Sequence, residues 1–228
     1  MKRLALLLLF ISPLVGSAQD TKKNIPVDSL YREDQFYTGI TYNLLVKMPS
    51  GVAQNGFSSG FQIGFIRDMP INKKRNLALG LGLGYAANSF NQNISITKDN
   101  NRYTYAVIPN SDFTKNKFFQ HVVEVPFELR YRKSTPTEHK FFRLYTGFKV
   151  GYVFANKYKF RGVPQNYKLS NINDFNRLQY ALTLSLGYNT WNFYVHYGLN
   201  SIFDSNAQID GKAIKMKTIK IGLIFYVL

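Results

Sequence analysis

From Phe36 onward, apolar residues fall at every second position through eight stretches of the chain, the pattern of β-strands with two distinct faces. The third stretch is the plainest. Leu77, Leu79, Leu81, Leu83 and Tyr85 share one face, and Ala78, Gly80, Gly82, Gly84 and Ala86 share the other. Ile40 to Val46, Phe57 to Phe65, Val123 to Tyr131, Phe142 to Phe154, Leu178 to Tyr188, Trp191 to Leu199 and Ile219 to Val227 read the same way. Each covers about ten residues or a little more, the length that carries a tilted strand across a bilayer.

No charged residue interrupts the middle of an apolar face, where a charge in lipid would cost about 2–4 kcal/mol. The second face carries glycine, alanine, small polar residues and all the strand charges. A solvated sandwich would place its apolar face inward and its polar face outward. Here a tiny second face suits a narrow lumen. Backbone groups in lipid have to be paired, so the sheet must close. The pattern therefore predicts an all-β fold, an eight-stranded antiparallel up-and-down transmembrane β-barrel over residues 36–228.

The predicted connections alternate in length. Lys47–Asn55, Phe90–Lys117, Tyr158–Asp174 and Ile202–Ala213 are the external loops; Asp68–Asn76, Lys133–Lys140 and Asn189-Thr190 are the periplasmic turns. Both termini then lie in the periplasm.

Residues 1–18 read as a cleaved signal peptide. Lys2 and Arg3 precede an apolar core from Leu4 to Val15, and Gly16-Ser17-Ala18 supplies small residues at the cleavage site. Residues 19–35 form a short periplasmic lead. The expected localisation is the cell outer membrane of a Gram-negative bacterium.

Composition adds partners and removes chemistries. The chain has no cysteine, so disulfides and thiolate metal sites are unavailable. Its 16 Tyr and 19 Phe suit interfacial girdles. A net charge of +16 without a long basic run points to outer-membrane lipid and lipopolysaccharide rather than nucleic acid.

The polar face directs Glu124, Glu128, Arg130, Arg143, Lys149, Arg177 and Lys220 into the lumen, where they have to pair as a charge network. Eight strands enclose only enough room for side chains, which disfavours a solute pathway. Among the histidines, His139 falls in a solvated turn, His196 faces inward, and His121 lies near Ser111 and Asp112. None of these spacings matches a catalytic or metal-binding motif. No enzyme activity, metal or cofactor is expected.

Four segments resemble the PorT family: Asp28-Ser-Leu-Tyr-Arg-Glu-Asp34, Ile66-Arg-Asp-Met-Pro-Ile-Asn-Lys-Lys-Arg-Asn76, Val123-Glu-Val-Pro-Phe-Glu-Leu-Arg-Tyr-Arg132 and Tyr145-Thr-Gly-Phe-Lys-Val-Gly-Tyr152. The resemblance extends over residues 28–228. It implies an outer-membrane barrel of Bacteroidetes required for protein export by the type IX secretion system, in an accessory or assembly role supporting gliding or protease secretion. Other secretion-system membrane proteins would be the partners. The turn holding Arg67, Asp68, Lys73, Lys74 and Arg75 would face the periplasm and is the candidate contact. Two alternatives are a structural or adhesive barrel, whose long loop exposes Tyr103 and Tyr105, and a small-solute pore.

Overall fold

The computed structural model describes residues 34–100, 102–133, 142–163 and 165–227. The signal peptide, nearly all of the lead and His139 lie outside them. Among the described residues thirteen strands form in chain order: β1 (Gln35–Val46), β2 (Ser59–Pro70), β3 (Leu77–Asn91), β4 (Ile94–Asp99), β5 (Arg102–Val107), β6 (Phe113–Arg132), β7 (Phe142–Gly162), β8 (Tyr167–Ser170), β9 (Leu178–Tyr188), β10 (Trp191–Gly198), β11 (Gln208–Ile209), β12 (Lys212–Ala213) and β13 (Lys217–Val227).

Eight of them make the barrel, in the order β6-β3-β2-β1-β13-β10-β9-β7, and a β6–β7 ladder closes the ring. Every neighbouring pair is antiparallel. Closure leaves no edge in lipid. The eight alternating stretches coincide with these eight strands, and β1 begins one residue earlier than expected, at Gln35.

The outward face is predominantly apolar across the barrel wall. Ile40, Ile63, Leu83, Phe127, Leu184 and Phe193 are all exposed, as residues facing hydrocarbon must be. Aromatic pairs ring one end, including Phe36 with Phe65 (5.0 Å) and Trp191 with Phe225 (5.1 Å). At the other end Tyr42 meets Phe57 (5.3 Å). These are the two interfacial girdles of a membrane barrel.

The strands β6 and β7 run to 20 and 21 residues, about twice what a bilayer needs. The predicted loops Phe90–Lys117 and Tyr158–Asp174 are therefore shorter than expected. Phe90 belongs to β3, Lys117 to β6 and Tyr158 to β7. Alternation continues through these extensions, but with lysines outside in place of leucines. A β-bulge between His121 and Val122 marks the change. Above it, β8 replaces β9 as the partner of β7.

Candidate functional site: an occluded lumen under an apolar cap

The lumen is filled by two connected layers of polar side chains. In the upper layer Lys149 Nζ donates to Glu124 Oε2 (2.9 Å), Gln62 Oε1 (3.0 Å) and Tyr194 Oη (3.0 Å). An ammonium has three hydrogens to donate, and each finds an acceptor. Lys220 Nζ approaches Glu124 Oε1 at 4.0 Å.

The lower layer centres on Asp68. Its carboxylate accepts from Arg130 Nη1 (3.0 Å) and from both Nη atoms of Arg132 (2.7 and 2.8 Å). Arg130 also reaches Glu128 (3.3 Å) and Gln35, and its guanidinium lies 4.3 Å from the Tyr145 ring centre. Arg130, Arg132 and Asp68 are fully buried. Arg143 is buried too and donates to the Asn189 carbonyl. Two spaces beside His196 measure about 10 Å³ each, about the room for one water molecule.

Alternation thus sends Glu124, Glu128, Arg130, Arg143, Lys149 and Lys220 inward, and the fold brings them together. Arg177 is a correction. It lies one residue before β9, is exposed, and its guanidinium contacts Tyr152 Oη on the outer wall at 3.5 Å. Arg67 and Asp68 are two more. Strand β2 continues to Pro70, so Arg67 points outward from the strand and Asp68 points into the lumen. Only Lys73, Lys74 and Arg75 of that group sit in the turn, with Arg75 in a left-handed conformation (φ 53°).

The outer end is closed by an apolar cap that sequence reasoning did not find. Loop residues Val52, Ile94, Ile96, Tyr105, Ile172, Phe175, Ile202, Phe203, Ile209 and Ile214 pack on Leu45, Phe90, Phe118 and Tyr158 of the barrel. Phe175 and Phe203 stack at 4.5 Å, and Phe118 lies 5.3 Å from Phe175. Tyr105, expected at the surface, is 7% exposed and donates to Asp174 Oδ2 at 3.0 Å. Burial is the first cause pushing its phenol well above the ordinary range, and the Asp174 charge adds to it. Burial likewise raises the Asp174 carboxyl, against the lowering effect of the Tyr105 hydrogen bond.

His121 does not meet Ser111 and Asp112. It accompanies Tyr85, whose hydroxyl lies 2.7 Å from Nδ1, while Ser111 bonds Asp112 at the far end of β6, about 30 Å of strand away. Among the described residues no group of His, Asp or Glu could hold a metal ion.

A closed barrel with girdled apolar walls and a filled lumen defines the class: a small transmembrane β-barrel. The chain belongs to the outer membrane protein beta-barrel domain family, which matches residues 17–204, and its place is the outer membrane. A search of the curated proteins gives no match. Among solved structures it is similar to Ail, the attachment invasion locus protein of Yersinia pestis, seen alone and in complex with the heparin analogue sucrose octasulfate. The identities are 13% and 14%, with a TM-score of 0.40, 87% of this chain and 100% of the other covered in each case.

Proposed function

We propose that this protein is a sealed outer-membrane barrel that serves type IX protein export as an accessory or assembly component, acting through its surfaces and not as a conduit. The observation that carries the surface-acting half is the occluded lumen: two ion-paired layers stand beneath an apolar cap. The secretion half rests on the PorT-like segments, of which Val123–Arg132 supplies Glu124, Glu128, Arg130 and Arg132 to those layers. The exposed Lys73 and Lys74 in the β2–β3 turn are the contact offered to periplasmic partners.

Deleting the gene and measuring proteins at the cell surface and in the medium tests this. Selective loss of cargo carrying the C-terminal secretion domain, restored by the wild-type gene, is expected. Unchanged export would reject the secretion role. A second reading, an adhesive barrel, is favoured by the β4–β5 hairpin, which is exposed at Thr97, Lys98, Asp99, Arg102 and Thr104. Its removal would then abolish surface binding and spare export.

A further inference from the structure

The extensions of β6 and β7 carry a ladder of unneutralised cations. Cross-strand partners share a face, and here Lys115 faces Arg161, Lys117 faces Lys159, and Lys159 faces Lys168 of β8. Their inward neighbours Asn116, Phe118, Tyr158 and Phe160 are buried, so all of these cations project outward. Lys157 joins them, opposite Phe119. None of the ion pairs among the described residues involves any of the six. Like charges directly opposite one another destabilise a sheet. The lysines register that repulsion: Lys159 is held below its ordinary range, first by Arg161, and Lys117 by burial and then by Lys115 and Lys159. An arrangement that costs stability in isolation fits a bound anion.

The height of the ladder selects the anion. From Tyr131 to Phe119 the outer face of β6 is apolar or aromatic, with His121 paired to Tyr85. At about 3.3 Å per residue and a tilt of about 40°, that run climbs about 30 Å, the thickness of the hydrocarbon core. Lys117 is the next outward residue, and its ammonium rests 4.2 Å from the Phe119 ring centre. The cations therefore begin where lipid headgroups begin.

Phe119 is also the upper wall of a groove of about 680 Å³ on the lipid-facing surface. Ala87 makes its floor, because in the ladder it is the small residue between Phe61 and His121. Ile40 and Tyr42 line the opposite side. An apolar groove topped by cations matches an acylated, phosphorylated molecule of the outer leaflet.

We infer that the Lys115, Lys117, Lys159, Arg161 and Lys168 ladder binds the phosphates of a lipid A headgroup, with an acyl chain in the groove beneath Phe119. Binding of purified lipid A to the folded protein, followed by native mass spectrometry, tests it. Bisphosphorylated lipid A should bind, and the same lipid stripped of phosphate should bind far more weakly. The triple variant Lys117→Gln, Lys159→Gln, Arg161→Gln should lose about 100-fold in affinity, since each cation near a phosphate surface is worth several-fold. These side chains lie on the outer surface, so the variant should keep its folded gel mobility. The single variant Lys159→Gln should be at least as stable as wild type in zwitterionic vesicles, because it relieves the ladder. Equal binding of both lipids, or undiminished binding by the triple variant, would overturn the inference. Displacement of the lipid by millimolar inorganic phosphate would also overturn it, by showing a site for a soluble anion.

Discussion

Lys149 and Tyr37 show how individual residues set the lumen. Tyr37 turns its ring toward β3, and a Cβ added to Gly84 or Gly64 would collide with that ring or its hydroxyl. On that face of β3, Gly84 thus leaves the space that Tyr37 occupies, while Gly80 and Gly82 make room for Arg130 and Ile66. Lys149 lies 5.9 Å from the same ring and spends its three hydrogens on Glu124, Gln62 and Tyr194. Removing one member of such a buried pair is far more harmful than removing both, because the survivor keeps its desolvation penalty without its partner. Lys149→Met should cost about 3–5 kcal/mol, and adding Glu124→Gln should recover much of that loss. Urea unfolding in lipid vesicles reads both. Additive losses in the double variant would mean that the two side chains are not coupled.

At the scale of elements, the cap explains how irregular loops survive burial. Buried and half-buried Asn and Gln side chains stand in for missing strand partners. Asn156 donates to the Ile172 carbonyl (3.0 Å) and accepts from the Ile172 amide (2.8 Å). Gln54 bridges the Leu45 amide and the Asn43 carbonyl in the same manner, and Asn176 donates to the Ser201 and Phe203 carbonyls. Each such bond removes the cost of an orphaned buried backbone group.

The β4–β5 hairpin is pinned to this cap through Tyr105 and Asp174. Tyr105→Phe should loosen the cap by about 1–2 kcal/mol, read as faster proteolysis of the loops with the barrel intact. The pH dependence follows from the direction of each shift. Both groups hold their protons more tightly in the cap than in the unfolded chain, so both favour it at low pH. Stability falls as pH rises above 3.8, the ordinary aspartate value, through the raised Asp174 value. It falls again above pH 10.0, the ordinary tyrosine value, and Tyr105→Phe should reduce that second loss, with the buried Tyr158 accounting for part of what remains.

These elements differ in how readily they could be read. The barrel strands were legible because lipid and lumen impose opposite demands on alternate residues, and the demand never lapses across the membrane. Six of the lumen charges followed from that alternation. Asp68 was missed because Arg67 and Pro70 suggested a turn, although Phe65, Arg67 and Met69 continue the outward series. Arg177 was misplaced because alternation was carried one residue past the strand end. The cap was illegible because Val52, Phe175, Ile202 and Phe203 meet through tertiary contacts and follow no period. Only the hairpin left a trace, in Ile94 and Ile96 opposite Val107 and Tyr105.

The whole molecule is a membrane-spanning cylinder with a second, water-exposed storey. The lower storey is apolar outside and ionic inside. The upper storey reverses this, with cations outside and an aromatic core within. Three carboxylates, Asp68, Glu124 and Glu128, face the buried cations of the lower storey. Phe118, Phe175 and Phe203 meet above the Lys149–Glu124 layer, with the inward-facing Gln120 and Val122 of β6 between, and so obstruct the path from one storey to the other. Single-channel recording of the purified, folded protein in planar bilayers tests this occlusion most directly. A membrane that stays silent across applied voltages is the expected result. Sustained, discrete channel openings from protein verified as folded would contradict a sealed barrel acting through its surfaces.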